Sequence, residues 1–155
     1  LLLRTTEIGC SCLHTACKEG HVEVAKALIQ AGGEALLLKA DNDGFSCLYI
    51  ACQQGHLEVV KALIKVGGEA LLLKTVKDGC SCLYIACQKG HLEVVMELIK
   101  AGGEALLRKT AIGGYSCLYI ACHAGHLEIV KALIKAGGDA LLLKTKKQRM
   151  LLPLY

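Results

Sequence analysis

The sequence predicts an all-α solenoid of stacked helix-turn-helix repeats, and three observations carry that expectation. A segment of the form Asp-Gly-x-Ser-Cys-Leu-Tyr-Ile-Ala-Cys-x-x-Gly-His-Leu-Glu-Val-Val returns at an unbroken 35-residue step, marked by Cys12, Cys47, Cys82 and Cys117 and by His21, His56, His91 and His126. A fixed period of this size is the signature of a repeat architecture rather than of one closed core. Each copy holds two helix-length apolar runs punctuated by glycine. No copy can bury those runs alone. Stacked neighbours bury them, at about 1.5–3 kcal/mol for each large aliphatic side chain.

Four copies fill most of the chain of 155 residues: 6–40, 41–75, 76–110 and 111–145. Leu1-Leu2-Leu3-Arg4-Thr5 matches Leu71-Leu72-Leu73-Lys74-Thr75, so residues 1–5 read as the tail of a preceding copy, and the opening Leu reads as a cut from a longer array. Residues 146–155 remain as a C-terminal tail or cap, closing on Met150-Leu151-Leu152-Pro153-Leu154-Tyr155. A solenoid needs its ends covered, so this segment is expected to fold over the last copy. Apolar residues at both ends also raise end-to-end self-association.

The copy at 41–75 shows why each element forms. Asp41-Asn42-Asp43-Gly44 is a turn, built of residues that accept local hydrogen bonds or a positive φ. Ser46 is an N-cap for the apolar run Cys47–Cys52. That run is apolar all round, as suits a short helix packed on both sides. Gly55 stops it as a C′ residue. A second helix follows, with Glu58 in its first turn and Lys65 in its last, both favourable to the helix dipole. Glu58, Lys61 and Lys65 form one narrow polar stripe, and Leu57, Val59, Val60, Leu63 and Ile64 occupy the rest. Gly67-Gly68 ends this helix, and the repeated His is expected to begin it while bonding to neighbouring backbone.

Composition narrows the function classes. The net charge of +4 is mild, and its lysines are spread over the copies as a solvated face, without the dense basic patch that marks a nucleic-acid partner. Mean hydropathy is high, at +0.45, yet Lys, Glu or Gly-Gly interrupts every apolar run before membrane-spanning length. No signal-peptide pattern is visible. The ten cysteines include the pairs 12/17, 47/52, 82/87 and 117/122. Five residues along a helix is about 7.5 Å, beyond the roughly 7 Å limit for a bridge. Equivalent cysteines of adjacent copies should stand one helix spacing apart, about 8–10 Å. The motif thiols therefore read as reduced, buried small hydrophobes, slow to label, in a cytoplasmic or other intracellular compartment. Cys10 and Cys80, at the turn tips, should label quickly.

The segment Asp43-Gly44-Phe45-Ser46-Cys47-Leu48-Tyr49-Ile50-Ala51-Cys52-Gln53-Gln54-Gly55-His56 resembles the ankyrin repeat in register, and the likeness extends over residues 1–145. It departs from the family pattern in three ways. Cys takes the place of Pro in the first helical turn. Tyr takes the place of the motif His in three copies, leaving His14 alone to make the loop-tying contact that the family implies. The copy is also two residues longer, within Glu-Ala-Leu-Leu-Leu-Lys-Thr. The family has an extended finger there, whereas these residues favour a helical turn packed by its leucines.

Comparing the copies locates their variety. It falls at Glu7, Asn42, Lys77 and Ile112, preceded by Thr6, Asp41, Val76 and Ala111. It falls also at Cys10, Phe45, Cys80 and Tyr115, after the turn glycine, and at the pairs Lys18-Glu19, Gln53-Gln54, Gln88-Lys89 and His123-Ala124. Further exceptions cluster at His14, Thr15 and Ala25 in the first copy and at Met96-Glu97 in the third, while the second-helix charges otherwise hardly vary. The family resemblance implies that turn tips and adjoining first-helix ends line a concave protein-binding face, and Phe45 and Tyr115 add weight to it, since aromatic residues are enriched among interface anchors. Neutral drift of exposed positions is the rival explanation, but it would scatter the second-helix charges too. Catalysis is not expected, since four equal copies of Cys and His do not make one unlike constellation. Cys52-x-x-x-His56 lacks a second ligand pair at zinc-finger spacing, so no metal or cofactor is expected. The reading is a non-catalytic protein-binding module or scaffold. The alternative is a consensus-like or engineered repeat scaffold without an evolved partner, as near-identical copies would suit.

Overall fold

A computed structural model describes residues 1–149, with side chains through residue 138. Four helix pairs follow one another: α1 (Cys12–Glu19) with α2 (Val22–Leu37), α3 (Cys47–Gln54) with α4 (Leu57–Leu72), α5 (Cys82–Lys89) with α6 (Leu92–Leu107), and α7 (Cys117–Ala124) with α8 (Leu127–Arg149). The short helices α1, α3, α5 and α7 stack on one another, and α2, α4, α6 and α8 stack as a second layer. Between the layers lies one continuous core, in which Leu48, Leu63, Leu83, Leu98 and Leu133 have no exposed surface. The closing segment 150–155, expected to act as a cap, lies outside the described residues.

Local chemistry starts and stops each short helix. Ser46 Oγ accepts the backbone N–H of Tyr49 at 3.1 Å. Ser81 and Ser116 do the same for Tyr84 and Tyr119, each at 3.1 Å, and so satisfy a donor that the first turn would leave free. Gly55 closes α3 in the left-handed region, at φ 78°. Its N–H bonds the carbonyl of Cys52 at 3.3 Å, and that of His56 reaches Ala51 O at 3.1 Å.

The long helices are broken once each. Gly68 leaves helical geometry at φ 50°, ψ −147°, a backbone that only glycine adopts without strain. The chain then resumes helix through Glu69-Ala70-Leu71-Leu72, which drives Leu71 and Leu72 into the core. Leu36-Leu37 and Leu106-Leu107 are delivered in the same way. The two extra residues of each copy thus form a helical turn, as their propensities indicate.

Neighbouring copies are locked by the repeated Gly-His. His91 Nε2 donates to Gln53 O at 3.0 Å, and His56 Nε2 to Lys18 O at 2.9 Å. A carbonyl only accepts, so Nε2 carries the hydrogen. Each ring lies directly over the glycine that caps the preceding short helix. A Cβ on Gly55 would stand 2.6 Å from His91 Nδ1, and one on Gly20 would stand 2.7 Å from His56 Nδ1. Glycine is needed there twice: for its positive φ, and for room beneath the ring.

The cysteines depart from expectation in two ways. All ten are free, but Cys12 and Cys122 are exposed, because no described helix stacks on the outer faces of α1 and α7. They are therefore not slow, sheltered thiols. The pairing geometry also differs. Equivalent cysteines do not meet. The second cysteine of one copy is coupled to the first of the next: Cys17 to Cys47, Cys52 to Cys82 and Cys87 to Cys117. Comparing like with like hid this stagger.

Two outcomes follow from these contacts. Gly55→Ala combines the left-handed penalty, about 1–2 kcal/mol, with loss of the His91 bond, about 1 kcal/mol. Gly125, at φ 76° with nothing within 4 Å of its Cβ position among the described residues, incurs only the first. Denaturant unfolding should therefore show Gly55→Ala to be the more damaging, and equal losses would mean that the His91 ring shifts without cost. The second outcome concerns alkali. Hydrogen bonding to Cys17 and burial push the Cys47 thiol up, burial and the Cys82 bond push Cys52 up, and burial pushes Tyr49 up to about 12. A raised folded-state value means that the unfolded chain releases these protons first. Their contribution is complete below about pH 8.5, where solvated thiols begin to ionise, and is lost as pH rises toward 12. Melting temperature should be level near pH 7–8 and fall steadily above pH 9, and a rise above pH 9 would contradict the assignment.

Candidate interaction surface

Each turn tip is a small closed loop. In the second copy, Asp41 N bonds Phe45 O and Gly44 N bonds Asp41 O, each at 3.0 Å. Asp41 Oδ1 accepts from Asp43 N at 3.0 Å and Phe45 N at 2.8 Å. An isolated antiparallel bridge between Ala40 and Ser46 closes the base. The aspartate is therefore committed to holding the loop. The third copy has Val76 there, and that side chain turns inward and is buried at 8 % exposure. Val76 cannot serve as the solvent-facing contact residue expected of it, because an apolar side chain with no loop amide to accept is better packed than solvated.

Adjacent tips are tied to each other. Asn42 N bonds Ile8 O at 3.1 Å, Asn42 Nδ2 bonds Glu7 O at 2.9 Å, and Ile112 N bonds Asp78 O at 2.9 Å. Lys77 Nζ stands 4.0 Å from Asp43 Oδ1, a solvated pair that contributes little. His14 makes the implied loop-tying contact: Nε2 donates to Phe45 O at 3.0 Å, while Nδ1 accepts from Ser11 Oγ at 2.7 Å and Ser11 N at 3.2 Å. In the second and fourth copies, which have tyrosine at that position, the ring packs on the aromatic residue of its own tip. Phe45 and Tyr49 stack with centroids 5.1 Å apart, and Tyr115 and Tyr119 lie 4.8 Å apart.

The remaining varied residues differ in exposure. Glu7, Lys18, Glu19, Asn42, Gln54, Lys77, Gln88, Lys89, Ile112, Tyr115, His123 and Ala124 are exposed, and Cys10, Asp41, Phe45, Gln53 and Cys80 are half-buried. The Cys10 and Cys80 thiols are both pushed up, first by burial and then by the carboxylates of Asp41 and Asp78 respectively, so neither is an activated nucleophile. Phe45 packs on the core and is not a free anchor. The opposite stripe is set apart as Glu–Lys pairs one turn apart: Glu58–Lys61 at 3.3 Å and Glu128–Lys131 at 3.0 Å.

One residue of the surface escaped the comparison of copies. Tyr119 is 44 % exposed and stacks between Tyr115 and His123, the last at 6.3 Å. It is a tyrosine in three copies, so variety did not mark it. The i, i+4, i+8 spacing of Tyr115, Tyr119 and His123 is the signal that would have found it, since such residues share one helix face. With Ile112 at 69 % exposure, these side chains form an aromatic and apolar patch at the fourth tip. Among the described residues, no three His, Cys, Asp or Glu side chains come together as metal ligands, and no helix is long and apolar enough to cross a membrane.

No curated protein matches the chain. A family model described as ankyrin repeats (3 copies) matches residues 1–70 and again 67–143. With that match over nearly the whole length, and with paired helices recurring every 35 residues behind bridged turn tips, the chain belongs to the ankyrin-repeat family.

Proposed function

We propose that this array is a non-catalytic protein-binding module that takes its partner on the edge formed by the turn tips and the ends of α1, α3, α5 and α7. Ankyrin repeats are in general protein-interaction modules. The observation that supports the assignment to this edge is the concentration there of both sequence variety and exposed aromatic surface, while the stripe on the second layer keeps its glutamate in all four copies and changes only at Gln30 and Met96. The patch of Ile112, Tyr115, Tyr119 and His123 is its centre. Aromatic side chains bury large area at little entropic cost, which is why they dominate interface energetics. The unbridged thiols fit a reducing, intracellular setting. Near-identity of the copies supports the second reading, a repeat scaffold without an evolved partner.

Capture from lysate with the array as bait separates the two. A partner held by the unmodified array should be lost on Tyr115→Ala with Tyr119→Ala. A loss of about 2 kcal/mol per anchor corresponds to roughly 30-fold weaker binding. Both rings are nearly half exposed, so the melting curve should hardly move. Lys61→Ala with Lys131→Ala should change neither. Binding abolished by the lysine pair alone would transfer the surface to the second layer, and no retained protein would favour the scaffold reading.

A further inference from the structure

The staggered cysteines form three equivalent buried dithiols, one between each pair of adjacent copies. Cys17 is coupled to Cys47, Cys52 to Cys82, and Cys87 to Cys117. All six are at most 2 % exposed and belong to the core. Each pair joins two helices that pack directly: α1 to α3, α3 to α5 and α5 to α7. Cys82 also donates its S–H to Leu72 O at 3.4 Å.

Packing alone would account for small apolar side chains at these positions, since a free thiol behaves as a small hydrophobe. A thiol facing a thiol carries an additional capacity. We propose that each dithiol is a latent oxidation site, which a small-molecule disulfide converts to an inter-repeat disulfide when the interface between two copies opens. In the closed array the sulfurs are out of reach of the oxidant, and the Cys47, Cys52 and Cys87 thiols are pushed up by the neighbouring cysteine and by burial, so the nucleophilic thiolate is scarce at them. Repeat arrays contact only their neighbours and open locally, one interface at a time.

In an opened interface, one cysteine loses its proton to solvent and its sulfur attacks the oxidant disulfide. This forms a mixed disulfide and expels one small thiolate, which takes up a proton. The second cysteine, likewise deprotonated, attacks the cysteine sulfur of the mixed disulfide and expels the other small thiolate, which is protonated in turn. Two protein thiols and one small disulfide give one protein disulfide and two small thiols. Two electrons pass from the protein sulfurs to the oxidant. Reclosure then holds two copies together by a covalent link.

The test uses the full chain and oxidised glutathione, with and without urea below the unfolding transition, followed by alkylation, digestion and tandem mass spectrometry. The expected products are Cys17–Cys47, Cys52–Cys82 and Cys87–Cys117, formed faster in urea, while the exposed Cys12 and Cys122 acquire glutathione in both conditions. The oxidised array should melt at least about 5 °C higher. Cys82→Ser should delete only the bridge at Cys52 and leave the other two. Scattered pairings, bridges within a copy such as Cys47–Cys52, thiols that stay unpaired in urea, or a melting point that does not rise would each overturn the proposal.

Discussion

The stacking of one copy on the next is the constraint on which the rest of this molecule depends. It is most sharply expressed where a histidine ring covers the glycine cap of the preceding short helix. His56 over Gly20, His91 over Gly55 and His126 over Gly90 are one contact made three times. Each ring also donates to a carbonyl in the last turn of the preceding short helix, at 2.9–3.2 Å. That hydrogen bond satisfies an acceptor which the helix end would otherwise leave to water. The glycine cannot acquire a side chain without moving the ring, and the ring cannot move without freeing the acceptor. Two residues far apart in the chain therefore set the spacing between copies, and the leucines of both layers pack at that spacing.

The tips obey a looser rule. Asp41 holds its loop by accepting two amides, yet Val76 occupies the same position in the next copy and holds its loop by burial instead. His14 ties one tip to the next through Phe45 O, whereas Tyr49 and Tyr119 stack on the aromatic ring of their own tip. Several chemistries close the same loop, because its backbone bonds and single bridge recur in every copy. A surface whose shape is held by backbone leaves its side chains free to vary, which is the property required of a recognition face.

The same stagger that orders the helices orders the cysteines. Where one short helix packs on the next, the cysteine near the end of the first is coupled to the cysteine at the start of the second. The dithiols are thus a consequence of how repeats pack. Their reactivity is governed by the opening of an interface between copies.

Much of this was legible in the residues themselves. The 35-residue period, the serine caps, the glycine stops, the polar stripe of the second helix and the helical turn after Gly68 are local, set by side chains acting on backbone within a few positions, and such signals survive in one dimension. What the sequence could not determine is whatever depends on the offset between copies: that Cys17 meets Cys47 rather than Cys12, that Val76 turns inward, that Phe45 rests on the core, that Cys12 and Cys122 face solvent, and that Tyr119 stands exposed while Tyr49, its equivalent, is buried. Periodicity makes equivalent positions look alike, and only the tertiary structure breaks that equivalence, because a residue's surroundings come from the copies on either side of it.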